Sequence, residues 1–543
     1  MPQRITFKPQ RHAFLLLYLG LALTLVAAVL YAFAPILAND FVNWDDGYAI
    51  LDNAALQGPG AECWSWAWST RLLGVYQPIA WLALRLQYLK WSLDPRGYHL
   101  VSLALHTVNA SLAFLLAWRL RHLATVRREA ADLWLCCGVA AFFALHPARV
   151  EAVAWVSCQP YLLCTTFALL SCLAYSFVSY RAKQRAAAFW CLSLILFTCS
   201  CLTKATGASM AGAVLAIDYF CLPQRRGIGR PLRLAPFFGV GLATMAVAVW
   251  ARSLVGTEIF TKHLNLDERL LQALKAIGLY LRQIVLPEAL SPFQPLTSGS
   301  TEVDGSMVTA AIVLMFCIWS AWRLRRRWPA LGVCLGLSLM ALAPTLGLVK
   351  IADTVAADRY TYIAILPFLG LCTARWTIPL GWTARKQASR YIAGGILAIP
   401  LLIGLWGLAH LSRSQCLIWR DSVTLWTTAI ARGAQDEAAV HNNLGTAYGV
   451  KGQWPQAEGE FRDVLRLQPN YGLAYLNLGI TLHRQGQLQA AKEALEHALS
   501  LVGDLPQAAV QLGRVAMDQK DVPEAERRFK QAQEWQRNIE GRP

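Results

Sequence analysis

Two adjacent carboxylates, in Asn43-Trp44-Asp45-Asp46-Gly47, are the residues here whose types and spacing most readily suggest chemistry. Like charges side by side repel, which holds one member of the pair towards its protonated form, and either could accept a proton from an attacking hydroxyl. The same residues would also make a solvated turn with a helix cap, since Asp and Gly favour turns. Three further clusters carry cations: His146-Pro147-Ala148-Arg149-Val150-Glu151, Thr203-Lys204-Ala205-Thr206-Gly207 and Asp358-Arg359-Tyr360. Arg149, Lys204 and Arg359 suit a phosphate, because cationic donors bind it by charge-assisted hydrogen bonds. The bland alternative is snorkelling to lipid headgroups. His146, Glu151, Asp358 and Tyr360 would line such a site. So would His99, although His99, His106 and Asn109 share one helix face and could simply join helices.

Hydropathy shows what must position these groups. Of 543 residues, 56% are hydrophobic and 15% charged, against about 25% charged in soluble domains. That composition excludes a cytosolic enzyme and a disordered scaffold. A spanning helix needs about 20 apolar residues. Blocks of this kind fall at 13–38, 98–118, 133–147, 161–180, 187–202, 205–222, 234–251, 306–322, 330–349, 358–374 and 391–411. The third is short enough to be partly re-entrant. The fold class expected is therefore all-α: a polytopic membrane bundle of about eleven spans, followed by a polar tail.

Charge sets the orientation. The net charge is +17, so nucleic-acid binding needs testing. The basic stretches 1–12, 119–132, 181–185, 225–233, 323–328 and 375–390 hold 22 Lys and Arg against only Glu129 and Asp132, whereas 436–543 carries 12 basic and 14 acidic residues. The excess thus lies in short loops between apolar spans, as the positive-inside rule describes. A nucleic-acid binder would instead gather it on one folded face. Eleven spans from an inside N-terminus place the tail, the carboxylate pair and the cation clusters outside. On the same side, 267–286 repeats Leu270, Leu271, Leu274, Ile277, Leu281 and Ile284 at helical spacing and suits an interfacial helix. Trp64, Trp66 and Trp68 alternate at period two and suit headgroup anchoring, or stacking on a sugar.

Most of the fourteen cysteines lie inside apolar blocks as small hydrophobes. Cys63 and Cys416 fall outside and could pair. The tail repeats with a period of 34: His441, Leu444-Gly445, Tyr448, Ala457, Phe461; then Tyr475, Leu478-Gly479, Leu482, Ala491, Leu495; then Ala509, Leu512-Gly513, Ala516, Ala525, Phe529. This is the tetratricopeptide pattern, whose arrays form solenoids with a concave surface for peptides or proteins. The expected organisation is a membrane domain over 1–412, a linker with a half-repeat over 413–437, and three repeats over 438–543.

With these motifs in place, the chain resembles the transmembrane and tetratricopeptide-repeat-containing family, within the polytopic glycosyltransferases that use lipid phosphosugars. The segments that carry the resemblance run in order along nearly the whole chain. They are Phe41-Val42-Asn43-Trp44-Asp45-Asp46, Tyr76-Gln77-Pro78, Tyr98-His99 with His106 and Asn109, His146-Pro147 through Glu151-Ala152-Val153-Ala154-Trp155, Leu202-Thr203-Lys204, Asp218-Tyr219, Asp358-Arg359-Tyr360 and Trp419-Arg420-Asp421. The resemblance implies an outward-facing or lumenal enzyme that moves a sugar, typically mannose, from a polyprenyl-phosphate carrier to a protein hydroxyl. It places the catalytic acid of the first outer loop at Asp45 or Asp46, with a slight lean to Asp46. Two departures stand out: Ser157-Cys158-Gln159-Pro160-Tyr161 replaces a Gly-Arg-x-Asp-like stretch, and Ala205 follows Lys204 where the family tends to have Glu.

An Asp with an ordinary pKa of about 4 is ionised at neutral pH. It would deprotonate a Ser or Thr hydroxyl for inverting attack on the anomeric carbon, while Lys204, Arg149 or Arg359 stabilises the leaving lipid phosphate. No tightly bound cofactor is required; a divalent cation is compatible, though no ligand cluster demands one. The expected partners are the polyprenyl-phosphate sugar, membrane lipids and an acceptor protein held by the repeats. Two alternatives stay open: a transferase acting on a glycan or lipid in envelope polysaccharide assembly, and a non-catalytic membrane anchor for the repeats. Arg outnumbers Lys by 38 to 12, and only three full repeats are present. Both features favour a bacterial inner membrane with periplasmic repeats over an endoplasmic reticulum.

Overall fold

The computed structural model describes residues 8–124, 130–178, 183–222, 229–253, 265–288, 290–295, 305–346, 356–367 and 387–540. Every regular element among them is helical. The chain forms two compact units. One comprises Met1–Phe41, Asp46–Leu290 and Leu296–Arg420; the other comprises Val42–Asp45, Ser291–Pro295 and Asp421–Pro543.

The first unit is the membrane bundle. Seven of its described helices are long and apolar enough to cross a bilayer: His12–Ala38, Pro95–Leu123, Val156–Ser176, Gln184–Thr203, Arg230–Ser253, Met307–Leu324 and Ile399–Trp419. An eighth candidate is the pair Ala130–Leu145 and Pro147–Ala154, bent by 59°. This is the short third block of the sequence, and the bend comes at His146-Pro147, where Pro supplies no backbone N–H to continue the ladder. The apolar helices Ala205–Cys221 and Pro329–Thr345 are shorter than these. Residues 368–374 of the expected span 358–374 lie outside the described residues, as do parts of several basic loops.

Loop charges are paired where the bundle turns. Asp132 receives Arg121 at 2.7 Å. Asp218 receives Arg230 at 2.6 Å and the Tyr175 hydroxyl at 2.8 Å. The expected amphipathic segment is a helix over Leu266–Val285, opened by a capping box between Asn265 and Glu268.

Two expectations are corrected. Cys63 and Cys416 are both buried free thiols; Cys416 Sγ donates instead to the Ala32 carbonyl at 3.8 Å. The tryptophan run is helical, within Gly60–Ser69, so period two does not give one face. Trp64 and Trp68, four residues apart, share an exposed side with ring centroids 6.0 Å apart, while Trp66 packs on buried Trp81 at 5.3 Å.

The second unit contains three helix pairs: Ala438–Val450 with Trp454–Leu467, Gly472–Arg484 with Leu488–Val502, and Pro506–Asp518 with Val522–Glu540. The 34-residue period has a direct steric origin. A Cβ on Gly445 would lie 2.8 Å from Phe461, one on Gly479 2.6 Å from Leu495, and one on Gly513 2.7 Å from Phe529. Each repeat thus seats a large side chain of its second helix on a bare backbone of its first. A further helix, Ser422–Ala429, precedes them, and the Asp421 side chain caps it through Thr424 N at 2.9 Å. Asn43 belongs to this unit and uses both ends of its amide. Nδ2 donates to the Asn443 carbonyl at 2.7 Å, and Oδ1 accepts from Trp426 Nε1 at 2.7 Å.

Candidate functional site

In the membrane unit, the candidate residues converge on two short turns. One is the 3-10 turn Pro147–Arg149 running into the helix Val150–Ala154; the other is the 3-10 turn Asp358–Tyr360. Glu151 joins them. One carboxylate oxygen accepts from the Arg359 guanidinium, and the other accepts from the Arg359 backbone N–H at 3.0 Å. The guanidinium also lies 5.2 Å from the Trp155 ring and 4.8 Å from the Tyr360 ring. Trp155 in turn stacks on Trp419 with centroids 5.7 Å apart.

Arg149 is fully buried beside this pair. Nη2 donates to Thr361 Oγ1 at 2.7 Å, while Nε and Nη1 have no hydrogen-bond partner among the described residues. Buried Asp358 likewise leaves Oδ1 without one. Two carboxylates and two guanidiniums are therefore gathered in an apolar bundle, and not all of their hydrogen-bonding capacity is used. Such groups are costly inside a membrane protein, and they mark functional sites by default.

Lys204 approaches from another side. It follows the helix Lys183–Thr203, and the turn after it packs so closely that a Cβ on Gly207 would lie 2.5 Å from Ser200 Oγ. Lys204 is half-buried, with Nζ 3.4 Å from Gln77 Oε1 and 4.6 Å from the Tyr161 ring centroid. Tyr161 lies 6.2 Å from Tyr360, ring to ring. Each of the three cations thus contacts one of Thr361, Tyr360 and Tyr161.

Asp46 is buried, whereas Asp45 is half-buried. Asp46 Oδ1 accepts the Ser157 backbone N–H at 2.9 Å and also the Ser157 hydroxyl. The histidines have structural engagements. His146 caps its turn, with Nδ1 accepting from Ala148 N at 3.2 Å and Nε2 donating to the Ile284 carbonyl at 3.2 Å. His99 Nε2 lies 3.4 Å from the Asp40 carbonyl. His106 donates Nε2–H to the Ala144 carbonyl at 2.9 Å and accepts the Tyr362 hydroxyl on Nδ1 at 2.7 Å. Asn109 donates to the same hydroxyl at 3.2 Å, which gives an interhelical network.

Sequence reasoning did not single out Ser157, Tyr161 or Thr361 as site residues. Ser157 and Tyr161 bound the stretch that departs from the family pattern, and that departure was the available signal. Thr361 merely follows Asp358-Arg359-Tyr360 and carried none.

Fold and site define an integral, polytopic helical membrane protein with a C-terminal tetratricopeptide-repeat unit. Tetratricopeptide-repeat family models match residues 430–502 and 482–542. The chain is similar to proteins named as TMTC protein O-mannosyl-transferases. It is 26% identical over 521 residues to the protein O-mannosyl-transferase Tmtc3 of Drosophila melanogaster, covering 80% of this chain and 52% of that protein. Mouse TMTC3 is 24% identical, with 88% of this chain and 54% of the relative covered. Human TMTC4 is 30% identical over 210 residues, covering 35% of this chain and 28% of that protein. The chain spans about half the length of the relatives it matches over most of its own. Among solved structures, ArnT from Cupriavidus metallidurans bound to undecaprenyl phosphate aligns with a TM-score of 0.34 at 16% identity, covering 89% of this chain and 80% of that one.

Proposed function

We propose that this protein transfers a sugar from a polyprenyl-phosphate carrier to a Ser or Thr hydroxyl of an exported protein. Mannose is the sugar that the names of its relatives suggest. The observation that carries the reading is the cluster of buried Arg149, Glu151 and Asp358 with partly buried Arg359, and with Lys204 set against Tyr161 and Gln77. A charge group of this kind gains its return when it meets a charged ligand.

In this scheme Asp46 or Asp45 takes the proton of the acceptor hydroxyl. The new bond forms between the acceptor oxygen and the anomeric carbon, on the face opposite the carrier. The bond from that carbon to the phosphate oxygen breaks, and its electron pair leaves with the lipid phosphate. Lys204 and Arg149 stabilise that leaving charge, and Arg359 is held in place by Glu151. The step uses no tightly bound cofactor. An apolar pocket lined by Leu116, Phe143, Leu169, Cys172, Met210 and Leu337 offers apolar surface on which part of the carrier tail would lie. Phe143 also faces the Arg149 guanidinium, 5.9 Å from its ring centroid. The repeats hold the acceptor or a partner on their concave surface. The setting most consistent with the Arg-rich composition is a bacterial inner membrane with the repeats in the periplasm.

The test is transfer by the purified full-length protein in detergent, with polyprenyl-phosphate mannose as donor. Exported proteins, envelope glycans and lipids from the same cells are offered separately as acceptors. Mannose on protein Ser or Thr, read by mass spectrometry, is the result expected. Transfer only to glycan or lipid would overturn the acceptor class, and no turnover with any acceptor would overturn the enzyme reading.

A further inference from the structure

The stretch that departs from the family pattern bonds directly to Asp46. Ser157 sits in the 3-10 turn Val156–Cys158, immediately before the helix Gln159–Ser176. Its backbone N–H and its hydroxyl converge on the same oxygen, Asp46 Oδ1. Two donors meeting on one carboxylate oxygen restrain the rotation of the group.

The turn that carries Ser157 is itself braced. Gln159 Nε2 donates to Gln87 Oε1 at 3.1 Å, to the Tyr98 carbonyl at 3.2 Å and to Ser102 Oγ at 3.2 Å. Gln87 Nε2 returns a bond to Gln159 Oε1 at 2.6 Å. All four residues are buried. The brace spans the helices Pro78–Trp91 and Pro95–Ala124, so Ser157 is presented from packed helices instead of a loose loop. A group held on rigid elements by buried polar partners is the arrangement that precise positioning demands.

We infer that Ser157 is a positioning residue for Asp46, aiming its carboxylate for sugar transfer, and that Gln159 holds Ser157 in register. This rests on the reading of Asp46 as the base.

The experiment compares wild type, Ser157→Ala, Ser157→Thr, Asp46→Asn and the double variant Asp46→Asn with Ser157→Ala, all full-length in detergent. The readouts are kcat and donor KM for release of polyprenyl phosphate from polyprenyl-phosphate mannose in the presence of acceptor, with thermal unfolding alongside. Ser157→Ala is expected to lower kcat about tenfold at nearly unchanged donor KM and unfolding temperature. Ser157→Thr, which keeps the hydroxyl, restores most of it. The double variant is no slower than Asp46→Asn alone, because the two residues act as a unit. If Ser157→Ala does not fold, Ser157→Cys, close in size and a weaker donor, carries the comparison with Ser157→Thr. Normal kcat in the folded Ala or Cys variant, with Asp46→Asn inactive, overturns the role of Ser157 and leaves the base in place. Normal kcat in Asp46→Asn overturns the base assignment beneath it. A loss in Ser157→Ala that appears only as a lower unfolding temperature, with kcat intact below it, makes Ser157 structural and overturns the inference.

Discussion

Glu151 binds Arg359 twice, once through the guanidinium and once through the backbone N–H of the same residue. The two residues are 208 positions apart in the chain, so a single carboxylate closes the turn Asp358–Tyr360 onto the helix Val150–Ala154. The pair also answers much of the Arg359 charge within the protein. Arg149, which has two nitrogens without partners among the described residues, becomes the buried cation better suited to an incoming anion.

Removing one member of a buried pair leaves the other charged in a poor solvent. Glu151→Gln or Arg359→Gln alone is therefore expected to cost about 3–5 kcal/mol of stability. The double replacement, which leaves no unmatched charge, should cost less than either single change. Thermal unfolding in detergent reads this; simple additivity of the two losses would show that the pair is not coupled.

Lys204→Ala should weaken donor binding roughly tenfold or more, the scale of one hydrogen bond to a charged group. Lys204 is half-buried and its neighbours are Gln77 and Tyr161, so the unfolding temperature should change little. Binding of polyprenyl phosphate to the purified protein is the measurement. Unchanged affinity would make Lys204 a headgroup contact only and shift the phosphate role to Arg149.

In the repeat unit, His441 Nδ1 lies 2.6 Å from Glu460 Oε2, and its Nε2 faces the Gln435 carbonyl at 2.9 Å. The Glu460 hydrogen bond raises the imidazole pKa above its ordinary value, against the opposing effect of partial burial. A group whose pKa is raised on folding adds stability that is fully present below the unfolded pKa, here about 6.5, and lost as pH rises through the folded value. Hydrogen exchange over 438–467 in the full chain should therefore quicken, beyond its intrinsic pH dependence, as pH rises above about 6.5. Glu460→Gln should flatten that change, and an equal pH response in the variant would remove Glu460 as its cause.

The charge pattern predicts an orientation that fusions can test. Alkaline phosphatase joined after residue 540 should be active outside the cytoplasm, and a fusion near Arg325 should be inactive. The reverse result would place the proposed site on the wrong side of the membrane.

The elements most legible in the sequence are those whose signal is periodic or local. The 34-residue repeat was readable because Gly445, Gly479 and Gly513 each face a large residue sixteen positions on. Seven of the expected spans, or eight with the bent pair, are described helices long and apolar enough to cross a bilayer, whereas Ala205–Cys221 and Pro329–Thr345 are shorter apolar helices. The cation clusters were visible as charges in apolar surroundings. Their partners were not, because Glu151 with Arg359 and Asp46 with Ser157 are joined across 208 and 111 residues by tertiary packing alone. His146 looked like chemistry and is a turn cap, since an imidazole nitrogen accepting from a backbone N–H two residues on leaves no mark in composition. The tryptophan run misled for a related reason: alternation over five residues does not by itself distinguish a strand from a helix whose middle residue faces inward.

The central claim is that the carboxylate pair supplies the base for sugar transfer, and its most direct test is turnover in three variants. Asp45→Asn, Asp46→Asn and the double variant are compared with wild type for transfer from polyprenyl-phosphate mannose in detergent. Asn keeps the shape and removes the proton acceptor. The account predicts that Asp46→Asn loses about 10²-fold or more in kcat with donor affinity nearly unchanged, and that Asp45→Asn loses less. Near-normal turnover in the double variant would contradict it.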